Sequence, residues 1–142
     1  MVVLLDTNII LTYLTNREDK YRAECIEIMR LCAAREVKGY MAFHSLSIIW
    51  YLLRKQCPAA ERRRLLKNVC GVLTVASASQ SQIIAAIEKD TFTDFEDCLQ
   101  DMCAVNAYVD YIITENIKDF ESSITKALLP DMFLKKWGKR SE

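Results

Sequence analysis

Residues 2 to 10 read VVLLDTNII, an apolar run that ends at the carboxylate of Asp6. A short continuous apolar run is typical of a buried strand in a parallel sheet, and the apolar spacing after it indicates a helix. A second apolar run opens YIITENIKDF, at residues 111 to 120, and extends to Thr114. Because the carboxyl ends of parallel strands meet at one edge of a sheet, we expect the polar residues that follow both runs to lie together.

The alternation of short apolar runs with helical spacing continues along the chain. Further strands are predicted at residues 40 to 43, 72 to 76, 110 to 114 and 126 to 129. Strands that alternate with helices in this way form a parallel sheet that is covered on both faces. The sequence therefore predicts a three-layer α/β/α domain with a central parallel sheet of four or five strands.

Local signals indicate where several helices begin and end. Gly39 is expected to terminate the helix before it, since glycine adopts the left-handed conformation found after helices. Ser45 is expected to cap a helix over residues 46 to 55, whose apolar residues cover most of its circumference and predict burial. Thr93 or Asp94 is expected to cap the helix that follows it.

Length and composition are those of an ordinary globular protein. A chain of 142 residues has the size of one domain, so a single domain over residues 1 to 142 is expected. Apolar residues make up 51% of the chain and charged residues 27%, which excludes a disordered or collagen-like protein. No run of about 20 consecutive apolar residues occurs, so no membrane span is expected. The run at residues 2 to 5 is too short for a signal-peptide core, which predicts a cytoplasmic location.

Neither the charge balance nor the cysteines indicate a function by themselves. The formal net charge is zero, so the field of the whole protein gives no support for nucleic-acid binding. The cysteines form no C-x-x-C pair and have a single histidine, His44, to join them, which argues against a zinc site. We expect all of them to be reduced and to pack mainly as small hydrophobic residues; they are Cys25, Cys32, Cys57, Cys70, Cys98 and Cys103.

Acidic residues gather in stretches that the predicted fold brings toward one edge of the sheet. Asp6 follows the first strand, and Asp94 and Asp97 lie in TDFEDCLQD, at residues 93 to 101. Magnesium and manganese prefer oxygen ligands, and magnesium commonly takes one or two protein carboxylates while it keeps waters and substrate phosphate. Such a cation neutralises an attacked phosphate and lowers the pKa of a bound water. The pattern therefore predicts a divalent-cation site, which is the chemistry that phosphodiester cleavage needs.

Helix capping is the alternative explanation for these acids. Asp94 is a natural N-cap, and Glu96 and Asp97 in a first helical turn gain about 0.3 to 1 kcal/mol each from the helix dipole. Asp6 could likewise cap the helix after the first strand. Their joint occurrence with polar residues at two predicted strand ends favours a metal site over capping alone.

The strings DTNII, DFEDCLQ and DYIITENIKDF closely resemble the PIN domain, a metal-dependent nuclease family to which VapC-type bacterial toxins belong. The resemblance spans nearly the whole chain. It implies that Asp6 and Asp97 are the catalytic acids and bind Mg²⁺ or Mn²⁺, with Asn116 or Asp119 as a further ligand. Four neighbours are expected to orient these ligands: Thr7, Asn8, Asp94 and Thr114.

One expected acid of the PIN pattern is missing. The family usually carries a glutamate on the helix after the second strand, in a phrase that resembles SLSIIWYLLRK, and Ile48 stands in its place. No acid occurs from Gly39 to Ala60. A hydrophobic residue at that position removes one ligand, so weaker metal binding and slower hydrolysis are expected.

Two functional hypotheses follow from the resemblance. The first is a Mg²⁺- or Mn²⁺-dependent endoribonuclease, the toxin of a toxin–antitoxin pair, which acts on single-stranded or structured RNA. The second is a catalytically degenerate PIN-fold protein that binds RNA or a protein partner without cleavage. An antitoxin protein is a possible partner in the first case. A homodimer is expected in both, because the helix with Ile48, Trp50 and Leu52 has more apolar surface than one side of a sheet covers.

Overall fold

Five parallel strands form the centre of the computed structural model, which describes residues 1 to 140. The strands are β1 (Val2–Leu5), β2 (Lys38–Ala42), β3 (Thr74–Ala76), β4 (Tyr111–Ile113) and β5 (Ala127–Leu128). Their order across the sheet is β3-β2-β1-β4-β5, and every neighbouring pair is parallel. The predicted α/β/α fold with a parallel sheet is confirmed, with five strands.

Seven α-helices and one 3-10 helix connect the strands within residues 1–140. They are α1 (Thr7–Leu14), α2 (Arg22–Ala33), α3 (Phe43–Leu52), α4 (Ala59–Val72), α5 (Gln80–Glu88), α6 (Phe95–Asn106), the 3-10 helix Ile117–Phe120 and α7 (Pro130–Arg140). In this described part of the chain, no helix combines the length and the apolar content needed to cross a membrane.

Alternate residues of β1 face opposite sides of the sheet, which explains why its apolar run is unbroken. Val3 and Leu5 pack into a core with residues of α1, α2, α4 and α7. Leu4 packs on the other face with Cys103 and Ala104 of α6. The side chains of Val3, Leu4 and Leu5 are fully buried. A strand covered on both faces needs apolar residues at every position, as the sequence shows.

The chain order of the strands changes direction at β1. The chain runs from β1 outward through β2 to β3, and later returns to the other side of β1 as β4. The backbone N–H of Asp6 donates to the carbonyl of Ile113 at 3.0 Å, so the carboxyl ends of β1 and β4 are level. A crevice outside the carboxyl ends of the strands at such a reversal is the usual ligand position in open α/β sheets.

The predicted helix-terminating role of Gly39 is wrong, because Gly39 lies inside β2. Helix α2 ends earlier, and Arg35 takes the left-handed conformation with φ 60°. A Cβ on Gly39 would lie 2.5 Å from Leu73 Cδ2 and 2.7 Å from Cys32 Sγ. The glycine is therefore required for close packing between β2 and the helices above it.

The predicted start and burial of the apolar helix are also wrong. Helix α3 begins at Phe43, directly after β2, and Ala42 precedes it without a side-chain cap. Ser45 is fully buried in the first turn of this helix. Two of its large side chains are more than half exposed, Phe43 at 65% and Tyr51 at 59%. Helix α3 therefore leaves large apolar side chains exposed on the protomer.

The cysteines lie mostly in the core. Cys25, Cys32, Cys98 and Cys103 are buried, Cys57 is half-buried and Cys70 is exposed. Burial raises the pKa of Cys32 to about 12, which keeps its thiol protonated at neutral pH. Their reduced state in the native protein stays a prediction.

Candidate metal centre

A pocket of about 250 Å³ lies where β1 and β4 end. It is lined by Asp6, Thr7, Asn8, Ile48, Leu52, Asp94, Glu96, Asp97, Asn116 and Asp119. These residues come from the strand ends, from α3 and from the start of α6. The pocket thus gathers every site residue that the sequence predicts except Thr114, which contacts Asp6.

Asp6 is held on both of its carboxylate oxygens. It follows β1 and caps α1, where its Oδ1 accepts a hydrogen bond from the backbone N–H of Thr7 at 2.8 Å. The hydroxyl of Thr114 donates to Asp6 Oδ2 at 2.9 Å. Only 4% of Asp6 is exposed. Asp6 therefore both caps α1 and lines the pocket, and the capping hydrogen bond helps to orient its carboxylate.

Asp97 has no such partners. It is 7% exposed, and within residues 1–140 its carboxylate forms no hydrogen bond. None of the ion pairs in this part of the chain includes a carboxylate of the pocket. A buried and uncompensated charge is costly, and proteins normally pair it or bind a metal with it. A cation in the pocket would offset this charge.

Burial and mutual repulsion change the protonation of both acids. The pKa of Asp97 is raised to about 7, first by burial and then by the negative charges of Asp6 and other acids of the pocket. The pKa of Asp6 is raised to about 6 by burial, although the hydrogen bonds from Thr114 and Thr7 oppose this effect. A bound cation would favour the ionised form of each acid and lower both pKa values.

Glu96 lines the pocket, although sequence reasoning predicts for it only a favourable interaction with the helix dipole. One oxygen each of Asp94, Glu96 and Asp97 lies within 4.8 Å of the others. The hydroxyl of Thr7 donates to Glu96 Oε1 at 3.3 Å. Asp94 caps α6 as predicted, and its Oδ1 accepts from the backbone N–H of Glu96 at 2.9 Å. The closely spaced acids in DFED, at residues 94 to 97, are the sequence signal for this group.

Asp101 lies in the same helix but serves another purpose. It is fully buried, and its carboxylate accepts from the backbone N–H groups of Ile124 at 2.8 Å and Thr125 at 3.1 Å. It therefore fixes the segment before β5 and does not line the pocket.

The apolar wall of the pocket is formed by α3. Ile48 and Leu52, one turn apart, both line it. Ile49 is fully buried in the core, and Trp50 lies under the guanidinium of Arg62 at 4.0 Å. Ile48 therefore occupies the position on α3 from which a longer acidic side chain would enter the pocket.

The donors present fit a hard divalent cation. The pocket offers carboxylates of Asp6, Asp97 and Asp119 and the amide of Asn116. Oxygen-rich sets of this kind suit magnesium and manganese, which tolerate few or no sulfur ligands. Asp97 adds a carboxylate without a partner within residues 1–140, whose negative charge a cation would offset.

Comparisons with known proteins agree with this fold. A family model described as the PIN domain matches residues 2–118. Comparison with curated proteins finds no match. Among solved structures, VapBC2 from Rickettsia felis, bound to a promoter DNA fragment, aligns with a TM-score of 0.66 at 17% identity, over 91% of this chain and 98% of that chain.

Two further structures are similar. VapBC-1 from nontypeable Haemophilus influenzae aligns with a TM-score of 0.64 at 16% identity, over 92% of this chain and 99% of that chain. VapC20 from Mycobacterium tuberculosis, a sarcin-ricin loop cleaving toxin, gives a TM-score of 0.57 at 16% identity, over 78% and 86%. Because the sequence identities are this low, the structural similarity is evidence of a shared fold alone.

Proposed function

Because this chain belongs to the PIN domain family, we propose that it is a metal-dependent endoribonuclease and the toxin of a toxin–antitoxin pair. The observation that carries the proposal is the convergence of Asp6 and the unpartnered, buried Asp97 on one pocket. The related structures support the biological role, since VapC20 is described as cleaving the sarcin-ricin loop. The proposed substrate is single-stranded or structured RNA.

Asp6 and Asp97 would hold Mg²⁺ or Mn²⁺, and Asn116 or Asp119 would complete the protein ligands. When bound, the cation supplies charge neutralisation at the scissile phosphate and a water of lowered pKa. Thr114 and the backbone of Thr7 keep the Asp6 carboxylate in one orientation. Such support normally fixes the direction of a ligand and strengthens metal binding.

A non-cleaving PIN protein that binds RNA or a protein partner is the second candidate. The observation that favours it is Ile48, which lines the pocket where the family places a glutamate. Loss of one carboxylate lowers the negative charge available to the cation. The two candidates share the fold, and a fold by itself does not determine activity.

An antitoxin is the proposed protein partner. The VapBC structures from Rickettsia felis and Haemophilus influenzae bear the names of two-component complexes. We expect an antitoxin segment to cover the acidic pocket with a basic side chain such as arginine, which pairs with carboxylates in bidentate fashion. Copurification with the product of the neighbouring gene tests this partner.

The metal proposal is tested by thermal unfolding with and without manganese. The wild-type protein should gain stability from Mn²⁺, since a ligand that binds only the folded state raises its melting temperature. Asp6→Asn and Asp97→Asn should abolish that gain and any cleavage of single-stranded RNA. Asp90→Asn, an exposed change outside the pocket, should behave as wild type. Equal responses of all four proteins would refute the metal site.

RNA cleavage by the wild-type protein separates the two candidates. Manganese-dependent cleavage that Asp97→Asn removes supports the nuclease. Manganese binding without cleavage, together with RNA binding by gel shift, supports the degenerate alternative.

A further inference from the structure

We propose that Glu96 is a third carboxylate ligand of the cation, taking the part that Ile48 cannot play. We further propose that a buried network of Gln100, Ser45 and Thr7 positions it. The inference rests on the proposed metal-dependent function of this pocket. It adds a ligand and a positioning mechanism that the family pattern does not assign to these residues.

Glu96 and Ile48 line the same pocket from different helices, α6 and α3. Glu96 is half-buried in the first turn of α6, where one of its oxygens lies within 4.8 Å of oxygens of Asp94 and Asp97. Clustered acids alone are common without a metal. Here Asp97 is a separate indication of a ligand, because the residue is only 7% exposed and lines the pocket, and within residues 1–140 its carboxylate forms no hydrogen bond or ion pair.

Three buried polar side chains lead to Glu96. Gln100 Nε2 donates to the hydroxyls of Thr7 and Ser45, each at 3.1 Å. The two hydroxyl oxygens are 2.8 Å apart. Gln100 and Ser45 are fully buried, and Thr7 is 4% exposed. The hydrogen bonds of this network therefore join buried protein side chains.

The number of N–H and O–H donors determines which groups of the network donate and which accept. Gln100 Oε1 has no partner among the described residues, and the reverse amide orientation would put two N–H donors at that place. Unpaired N–H groups are rarer in proteins than under-satisfied carbonyls, so Nε2 faces the hydroxyls. If Ser45 donates to Thr7, the single hydroxyl proton of Thr7 is free for Glu96 Oε1 at 3.3 Å. The network therefore ends as a donor to the Glu96 carboxylate.

Thr7 then fixes two acids at once. Its backbone N–H binds Asp6 Oδ1, and its hydroxyl binds Glu96 Oε1. Both donors are neutral, so they orient the carboxylates and leave the negative charge for a cation. Asp6 receives a second hydroxyl donor from Thr114. Glu96 thus has one neutral donor at 3.3 Å, a weaker form of the support that Asp6 receives from two donors at 2.8 and 2.9 Å.

The test is Mn²⁺ binding by isothermal titration calorimetry on the full chain. Glu96→Gln keeps the shape and removes the charge, and should weaken binding by about tenfold or more. Glu88→Gln, an exposed change at the end of α5, should leave binding unchanged. Thr7→Val should weaken binding by about tenfold, whereas Thr7→Ser, which keeps the hydroxyl, should preserve it.

A rescue variant distinguishes a ligand from a merely structural glutamate. The double change Ile48→Glu with Glu96→Gln returns a carboxylate to the same pocket from α3. It should recover most of the lost Mn²⁺ affinity. Circular dichroism of each metal-free variant checks that it is folded. If Glu96→Gln does not fold, Glu96→Ala takes its place.

Each outcome separates this inference from the proposed function. Loss of binding in Asp6→Asn with wild-type affinity in Glu96→Gln overturns the role of Glu96 and leaves the metal site standing. Loss in Glu96→Gln without recovery in the double variant also overturns it. Absence of Mn²⁺ binding in the wild-type protein overturns both.

Discussion

The carboxylate of Asp97 couples folding to protonation. Its pKa is raised from 3.8 to about 7 by burial and by the charge of Asp6, so the folded protein retains a proton that the unfolded chain releases over this range. For an acid with a raised pKa, the stabilisation is complete below the unfolded pKa and is lost as the pH rises through the folded pKa. Asp6 contributes in the same direction, with a pKa of about 6.

We therefore predict that the metal-free protein loses stability as the pH rises from about 4 to about 7, the range between the unfolded and folded pKa values, and that the loss levels off above it. Asp97→Asn should remove much of this slope and raise the free energy of unfolding at about pH 8 by about 1 to 3 kcal/mol. Urea denaturation with a chelator present measures both effects. Asp90→Asn is the matched control at an exposed position. Parallel pH profiles for wild type and Asp97→Asn would contradict the prediction.

Manganese should reverse this pH trend in the wild-type protein. Metal binding requires deprotonated carboxylates, so protons compete with the cation at low pH. The manganese-induced rise in melting temperature is expected to grow as the pH increases through about 7, the pKa of Asp97 in the metal-free protein. A rise that does not change with pH would show that Asp97 does not bind the metal.

Single residues also show what the sequence could and could not reveal about the candidate site. Asp6 and Asn116 could be placed together because each follows a strand, and parallel strands end at one edge. The link from Gln100 to Ser45 could not be predicted, because these residues are 55 positions apart and their contact depends on how two helices pack. Glu96 was assigned to the helix dipole, which explains its position but not its contact with Thr7.

At the scale of elements, the packing of β2 depends on Gly39. A side chain there would meet Leu73 and Cys32 at 2.5 Å and 2.7 Å. Gly39→Ala is therefore expected to destabilise the protein by about 1 to 3 kcal/mol through overpacking. Gly71→Ala is the matched control, because nothing lies within 4 Å of a Cβ at that helical position. It should stabilise by about 0.5 to 1 kcal/mol.

Urea denaturation of both variants measures the difference. Equal free energies of unfolding for Gly39→Ala and wild type would mean that the neighbouring side chains move aside without cost. The wrong prediction for Gly39 has a clear origin. Sequence position alone suggested a helix terminus, whereas close approach of α2 and Leu73 to β2 is a tertiary property.

The periodicity of apolar residues predicts which strands and helices exist better than it predicts the residues at which they begin and end. The apolar run Val2–Leu5 was placed correctly because burial on both faces leaves no polar position. Helix α3 starts before Ser45 because the chain enters it directly from β2, and Ala42 at its start has no capping side chain that the sequence could reveal. Its apolar circumference predicted burial, yet the monomer covers only part of it.

For the whole molecule, the exposed apolar side chains of α3 have a direct consequence for assembly. Phe43, Tyr51 and Leu52 are 65%, 59% and 44% exposed on this helix. Exposed large apolar side chains favour association, and we predict that the protein is a homodimer through α3. Sedimentation equilibrium of the wild-type protein at micromolar concentration should give twice the monomer mass.

Charged substitutions locate the dimer surface. Tyr51→Lys places a strongly hydrated charge on the exposed side of α3 and should shift the protein to monomer without unfolding it, since the side chain is largely outside the core. Ile87→Lys makes the equivalent change at a residue of α5 that is 65% exposed, and should leave the dimer intact. The opposite pattern would assign the interface to α5.

Because Ile48 and Leu52 line the acidic pocket from the same helix, dimer formation through α3 would also limit how RNA or an antitoxin segment approaches it. Tyr51→Lys should therefore alter RNA cleavage while its manganese affinity stays at the wild-type value.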